Sequence, residues 1–255
     1  MMEERGRARE RHLPPSSQPA LPEYLSVAGG LRLVGGRPLN YAFGRGRRDF
    51  FARQIAHVDI QPTSDLPFHA EATLLACPGL RAQWISGSPV RLERTAKMLA
   101  DGDDSLVLLI ATSGRLTITQ RGSEVLLGAA EAVALLRAEP AQIIAAGGDR
   151  LGVVIPRASI APLVCDVESA AMRLIPNHNE SLRLLITYIG MLPNQTPRTA
   201  GLRHLCATHI CDLVAMAVGA NRDATEIASA RGMRAARLQA VLADILTNAA
   251  DPGLQ

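Results

Sequence analysis

Aromatic residues are scarce, at 3% of the 255 residues, and there is one tryptophan, Trp84. Lysine is scarcer: the 27 basic residues are 26 arginines and Lys97. That bias is a codon signature of a GC-rich and so bacterial genome, and it says nothing about mechanism. No run reaches the roughly 18 consecutive apolar residues of a spanning helix. The opening stretch MMEERGRARERHLPP has no apolar core of a secretory signal. A cytoplasmic protein with no membrane partner is therefore expected. Its four cysteines, Cys77, Cys165, Cys206 and Cys211, read as free thiols, not a disulfide framework.

What is present suffices for a core. Hydrophobic residues make up 47% and charged residues 20%, which excludes wholesale disorder and fits one or two domains. The net charge of +3 is unevenly spread. Residues 1–48 carry nine arginines against Glu3, Glu4, Glu10 and Glu23, a balance of +5, and the remainder stands at −2. With the run Pro14-Pro15-Ser16-Ser17-Gln18-Pro19, this makes residues 1–49 a basic, flexible arm.

Residues 50–177 read as short strands. Segments 51–60, 72–77, 80–86, 90–95, 106–112, 115–121, 124–127, 132–136, 142–145 and 151–155 follow one another at roughly ten-residue spacing, divided by turn signals such as Ser113-Gly114 and Gly147-Gly148-Asp149. Regular short strands predict an antiparallel sandwich or barrel. Leu116-Thr117-Ile118-Thr119 alternates apolar with hydroxyl, so one face is buried and the other wet. Residues 106–110 are apolar throughout, as in a strand covered on both sides.

After Pro156 the period changes. Leu182, Leu185, Ile186, Ile189 and Leu192 mark one face of a helix, with Asn179 as N-cap and Pro193 as its stop. Leu202, Leu205, Cys206, His209, Leu213 and Met216 form a stripe on a second helix, stopped by Gly219. Residues 178–220 are thus expected to be an antiparallel helical hairpin. Leu238, Val241, Leu242 and Ile245 place a final helix within residues 221–255. The fold class is α+β: a barrel or sandwich, a helical hairpin, then a helix.

Chemistry-bearing motifs are missing. A barrel enzyme of the metal-binding cupin kind needs two histidines at i and i+2 on one strand, so that both imidazoles face one ion. No histidine occurs between residues 70 and 177. There is no Gly-x-Ser-x-Gly elbow. His204 and His209, five apart, are poorly spaced to share an ion. Gly29-Gly30 and Gly35-Gly36 flank residues 31–34 without the order of a phosphate loop. No catalytic residue, metal or cofactor is expected.

The stretches Asp101-Gly102-Asp103-Asp104-Ser105-Leu106, Ser113-Gly114-Arg115-Leu116, Thr119-Gln120-Arg121-Gly122 and Val153-Val154-Ile155-Pro156-Arg157 resemble the cupin-like sensor domain of AraC-family transcription regulators. Leu202-Arg203-His204-Leu205, Thr208-His209-Ile210 and Asp212-Leu213-Val214 are similar to that family's dimerisation helix. Arg231-Gly232, Arg237-Leu238 and Asp251-Pro252-Gly253-Leu254 resemble the helix that opens its DNA-binding domain. The likeness runs over roughly residues 50–255. Family members continue for about eighty residues more, holding two helix-turn-helix units that read the major groove.

The resemblance implies the effector-sensing and dimerisation portion of an AraC-type regulator, truncated before those units. DNA would be bound only through the missing C-terminal domain, and the chain would be a homodimer with a small organic effector. Two alternatives are a stand-alone module that dimerises with full-length relatives and inhibits them, and a metal-free cupin-like enzyme. Trp84 and His69 are the candidate effector-binding residues, a lone aromatic offering large contact area at small entropic cost. Leu202, Leu205, Cys206, His209 and Leu213 are the candidate dimerisation residues. Residues 1–255 should accordingly show no sequence-specific DNA binding. Any affinity should come from the basic arm and fade steeply with added salt. A footprint at one defined site at physiological salt would contradict this.

Overall fold

The computed structural model describes residues 31–33, 57–65, 68–193, 197 and 199–219. The final helix expected within 221–255, and the arm apart from residues 31–33, lie outside the described residues.

Among the described residues, twelve strands form two sheets. They are β1 (Leu31–Leu33), β2 (Asp59–Pro62), β3 (Ala70–Cys77), β4 (Leu80–Gly87), β5 (Val90–Arg94), β6 (Leu106–Ala111), β7 (Leu116–Gln120), β8 (Ser123–Leu127), β9 (Ala132–Leu136), β10 (Ala141–Ala145), β11 (Gly148–Ile155) and β12 (Leu174–Ile175). The seven-stranded sheet runs β1-β3-β4-β11-β6-β9-β12 and the five-stranded one β2-β5-β10-β7-β8. Every pairing is antiparallel except β1 with β3, where Leu31 pairs with Ala72 and Leu33 with Leu74. Within residues 1–49, read from the sequence as a basic arm, residues 31–33 form a strand. Leu31–Leu33, the sequence Leu-Arg-Leu between glycine pairs, adds in parallel to the edge of β3.

Period-2 alternation sorts the side chains of the seven-stranded sheet. Leu106, Leu108 and Ile110 of β6, with Leu151, Val153 and Ile155 of β11, join an outer cluster with the helices. Leu109 and Ala111 of β6, with Val133 and Leu135 of β9, join Leu92, Leu116, Ile118 and Leu127 of the opposite sheet in the barrel interior. β6 is therefore covered on both sides, as its unbroken apolar run requires.

The helical layer packs on the outer face. Short helices α1 (Arg157–Ile160) and α2 (Val167–Ala170), which the sequence reading missed, lead to α3 (Glu180–Met191) and α4 (Ala200–Val218). Asn179 caps α3, its Oδ1 accepting from the Leu182 N–H at 2.9 Å. Thr199 caps α4 in the same way at 3.2 Å. Each such cap is worth about 1 kcal/mol. Gly219, with φ 110°, ends α4 in a backbone conformation that side chains with a Cβ disfavour. Leu182, Leu185 and Ile189 of α3 are fully buried against the sheet.

One side chain ties the two sheets together. Gln120 at the end of β7 is 2% exposed. Its Nε2 donates to the Leu136 carbonyl at 2.9 Å, and its Oε1 accepts from the Leu136 N–H at 3.0 Å. Leu136 belongs to β9 in the other sheet, so the amide replaces the neighbouring strand that this backbone lacks. Gln120→Leu keeps the volume and strands the Leu136 N–H, while the Leu136 carbonyl keeps only the longer bond from the Glu139 N–H at 3.3 Å. It should destabilise the protein by about 2–4 kcal/mol in urea denaturation; a loss under about 0.5 kcal/mol would mean that the clamp is not needed.

Candidate functional site

The inner wall of the seven-stranded sheet is built in rows. Across one row stand Ala72, Ile85, Arg150 and Ala111; across the next, Leu74, Gln83, Gly152, Leu109 and Val133. Arg150 shares its face with Ile85 and Ala111, both members of interior clusters, while its neighbour Leu151 points to the helices. Arg150 is 6% exposed, and its Nε and Nη1 have no hydrogen-bond partner among the described residues. Burial pulls its pKa down to about 10, opposed by the charge of Asp149, so the guanidinium stays charged at neutral pH. Asp149 itself is turned to the surface, where Ser113 Oγ donates to its Oδ2 at 3.1 Å. Gln83 lies over Gly152: a Cβ on that glycine would meet Gln83 Nε2 at 3.0 Å.

At the opposite end of the barrel the buried charges are paired. Arg94, 4% exposed, donates from Nε to the Arg137 carbonyl at 2.7 Å, from Nη1 to the His57 carbonyl at 3.1 Å, and from Nη2 to Asp101 Oδ1 at 2.7 Å. Arg137, 6% exposed, pairs with Asp103 at 2.6 Å. His57 Nδ1 lies 3.2 Å from Asp101 Oδ2. Burial and the Arg137 charge hold the His57 pKa below its usual value, against the hydrogen bond with Asp101. This end is a closed ion network. The inner wall offers guanidinium and amide groups where a metal would need imidazole or carboxylate, and no three His, Cys, Asp or Glu residues cluster as a metal site among the described residues. The donor set does not fit a cupin-type ion.

The two residues read from the sequence as an effector site are not brought together. Trp84 is half-buried and packs against the outer, helix-side cluster, not the interior. Strand alternation explains this: Leu80, Ala82 and Trp84 share one face, and Arg81, Gln83 and Ile85 the other. His69 is exposed at the start of β3, 3.9 Å from the Glu71 carboxylate, and its backbone N–H donates to Ser88 Oγ. Trp84 pairs with Thr73, four positions along β3 from His69. The sequence reading did not single out Arg150; the signal available was an arginine directly before the uncharged strand run Leu151 to Ile155.

The sequence profile of the AraC-binding-like domain matches residues 47–218. The chain belongs to that family. Among solved structures, the AraC-like transcriptional activator CuxR is similar at a TM-score of 0.61 and 21% identity, over 69% of this chain and 66% of that one. The alignment thus spans just under two thirds of that protein's length. EutQ of Clostridium difficile aligns over 38% of this chain and 76% of its own at a TM-score of 0.30 and 14% identity. A cupin 2 barrel protein of Salinispora arenicola covers 38% and 83% at 0.25 and 14%. No curated protein sequence matches the chain.

In this AraC-binding-like domain the stripe read along the second helix divides. Leu202 and Leu205 of α4 are 51% and 46% exposed. His209 and Leu213 are half-buried, and His209 meets Tyr188 of α3, ring centroids 5.9 Å apart. Cys206 departs from the expected face: it is buried in the outer cluster, facing the sheet beside Ala207, Ile210 and Val214. Leu184 and Met191 of α3 are also exposed. All four cysteines are free thiols. Burial pushes the Cys77 thiol up to about 11, with Cys206 adding to it, so it is protonated and unreactive at neutral pH. No helix among the described residues is long and apolar enough to cross a membrane.

The paired end of the barrel sets part of the acid sensitivity. Burial raises the Asp101 pKa, but the hydrogen bonds from Arg94 and the Asp103 N–H, with the Arg94 charge, bring it down to about 2 from 3.8. A carboxylate depressed in the folded state contributes in full above its unfolded pKa, and the contribution is lost as pH falls from 3.8 towards 2. Asp101→Asn should flatten the stability profile across that window in urea titrations. Equal slopes for variant and wild type would remove Asp101 from the account.

Proposed function

We propose that this chain is the effector-sensing and dimerisation part of an AraC-type transcription regulator, with no catalytic role. The family assignment supports a ligand-binding regulatory domain, and the description of the similar CuxR structure as a transcriptional activator supports the same reading. The observation that carries it is the two-sided wall formed by β6 and β11. Alternate residues of these strands face the barrel interior and the underside of the helices. An effector seated inside displaces the strands on which α3 and α4 rest. A ligand preferring one docking of the helices then shifts the population towards it.

The face presented to a second copy is the exposed apolar one, Leu202 and Leu205 of α4, continued by the half-buried His209 and Leu213. Cys206, buried within the monomer, is not part of it. Because Leu205 is 46% exposed in the monomer, Leu205→Asp leaves the domain's own packing intact. At a self-pairing interface it buries an unpaired carboxylate, at about 3–5 kcal/mol per interface. Sedimentation velocity should show the wild-type chain as a dimer and the variant as a folded monomer. A variant that remains dimeric places the interface elsewhere.

A further inference from the structure

Among the described residues three arginines are buried in or at the ends of this barrel, and they differ in one respect. Arg94 and Arg137 face Asp101 and Asp103, so each buried cation has its anion. Among the described residues Arg150 has none within the wall, and Asp149, the charge that acts on it, is exposed and engaged by Ser113. A buried, unpaired guanidinium is costly to fold around, because water that solvated it has been removed without replacement. A buried group with no partner of its own is a candidate for completion by a bound ligand.

The surroundings specify what would complete it. The interior apolar side chains fall into two clusters, one around Leu109, Leu116, Ile118 and Leu127, the other around Ala72 and Ile85. On the seven-stranded sheet the inner face of β11 runs between them, and there Arg150 and Gly152 stand where an aliphatic pair would otherwise fuse the two. Gly152 supplies no side chain, and the Gln83 amide folds over it. Phe68 packs against both clusters. One cation, one amide and apolar walls match a singly charged anion with an apolar body. A phosphate dianion calls for more than one cation, and a sugar for several neutral donors and acceptors.

We propose that Arg150 anchors the effector and that the effector is a small carboxylic acid with an aliphatic or aromatic body, its carboxylate on the guanidinium and its body against Ile85, Ala111 and Phe68. The proposal rests on the effector-binding reading above and names the chemistry of the same interior. The Gln83 amide is the second polar contact, and Gly152 keeps the wall thin enough for the ligand to reach both.

The test compares matched acids and neutral isosteres on the full 255-residue chain: benzoate and benzamide, hexanoate and hexanamide, with inorganic phosphate as a further anion. Melting temperature and titration calorimetry are read for wild type, Arg150→Met and Arg150→Lys. The acids should raise the wild-type melting temperature, since a ligand of the folded state stabilises by mass action, and the amides and phosphate should not. Arg150→Met should weaken acid binding by about thirtyfold or more, yet melt higher than wild type without ligand, because an unpaired buried charge has been removed. Arg150→Lys should retain part of the acid response, and it carries the comparison if the methionine variant does not fold. Acids binding Arg150→Met as tightly as wild type would overturn the anchor. A response to the amides alone, or to phosphate alone, would overturn the ligand class. In each of those cases the effector-binding reading survives. Absence of any binding by wild type overturns both.

Discussion

Leu108 and Leu109 are adjacent in sequence and belong to different cores. That follows from strand geometry, in which successive side chains point to opposite faces, and it is the constraint on which the rest of the domain depends. The seven-stranded sheet has no wet face at its centre. One side is the barrel interior closed by the five-stranded sheet, and the other is the floor for α3 and α4. A fully buried leucine contributes about 1.5–3 kcal/mol relative to exposure, and β6 alone places Leu106, Leu108 and Ile110 on the helix side at full burial. Removing the helices would expose that row to water. The barrel therefore does not stand apart from the hairpin; they share a wall one strand thick.

The polar groups inside such a structure are few and almost all accounted for. Gln120 satisfies a backbone amide and carbonyl across the gap between sheets. Arg94 ties the end of β5 to the carbonyls of Arg137 and His57 and to Asp101. These contacts close one end of the barrel with paired charges, and breaking one partner would leave the other buried and uncompensated. Arg150 is the exception, near the other end. The contrast within one barrel is what gives that residue meaning: among the described residues the same fold pairs two arginines with carboxylates and leaves Nε and Nη1 of a third without a partner.

The strands were legible because turns punctuate them and alternation marks their faces. Segments 80–86, 116–119 and 132–136 fall within strands, burial follows the alternation over 116–119, and Asn179 and Gly219 mark helix ends where expected. Short elements were not legible. Arg157–Ile160 and Val167–Ala170 have one turn each, too little for a period to appear, and Leu174–Ile175 pairs only because β9 offers it an edge. The site was harder. Which face of β4 Trp84 occupies depends on register against β3 and β11, a tertiary fact that composition does not contain. The same holds for Arg150: a charge beside an apolar strand run reads as an exposed position until both neighbouring strands are in place.

The helix α4 illustrates how an apolar stripe can be real and still point elsewhere. It is apolar nearly all round, so several faces satisfy a helical period, and periodicity alone cannot choose among them. The choice is made by size. The face turned to the sheet carries Ala207, Ala215 and Ala217 among its buried residues, and in the same cluster β9 presents Ala132 and Ala134. Small side chains on both surfaces allow close approach, whereas Leu202 and Leu205, near the start of the helix, are left outward. Close packing of small groups has little slack, since interiors are as dense as organic crystals. A displacement of the sheet is then not absorbed by rotating long side chains and passes to the helix as a shift of the whole element. An outward apolar face on that same helix is where such a shift would be read.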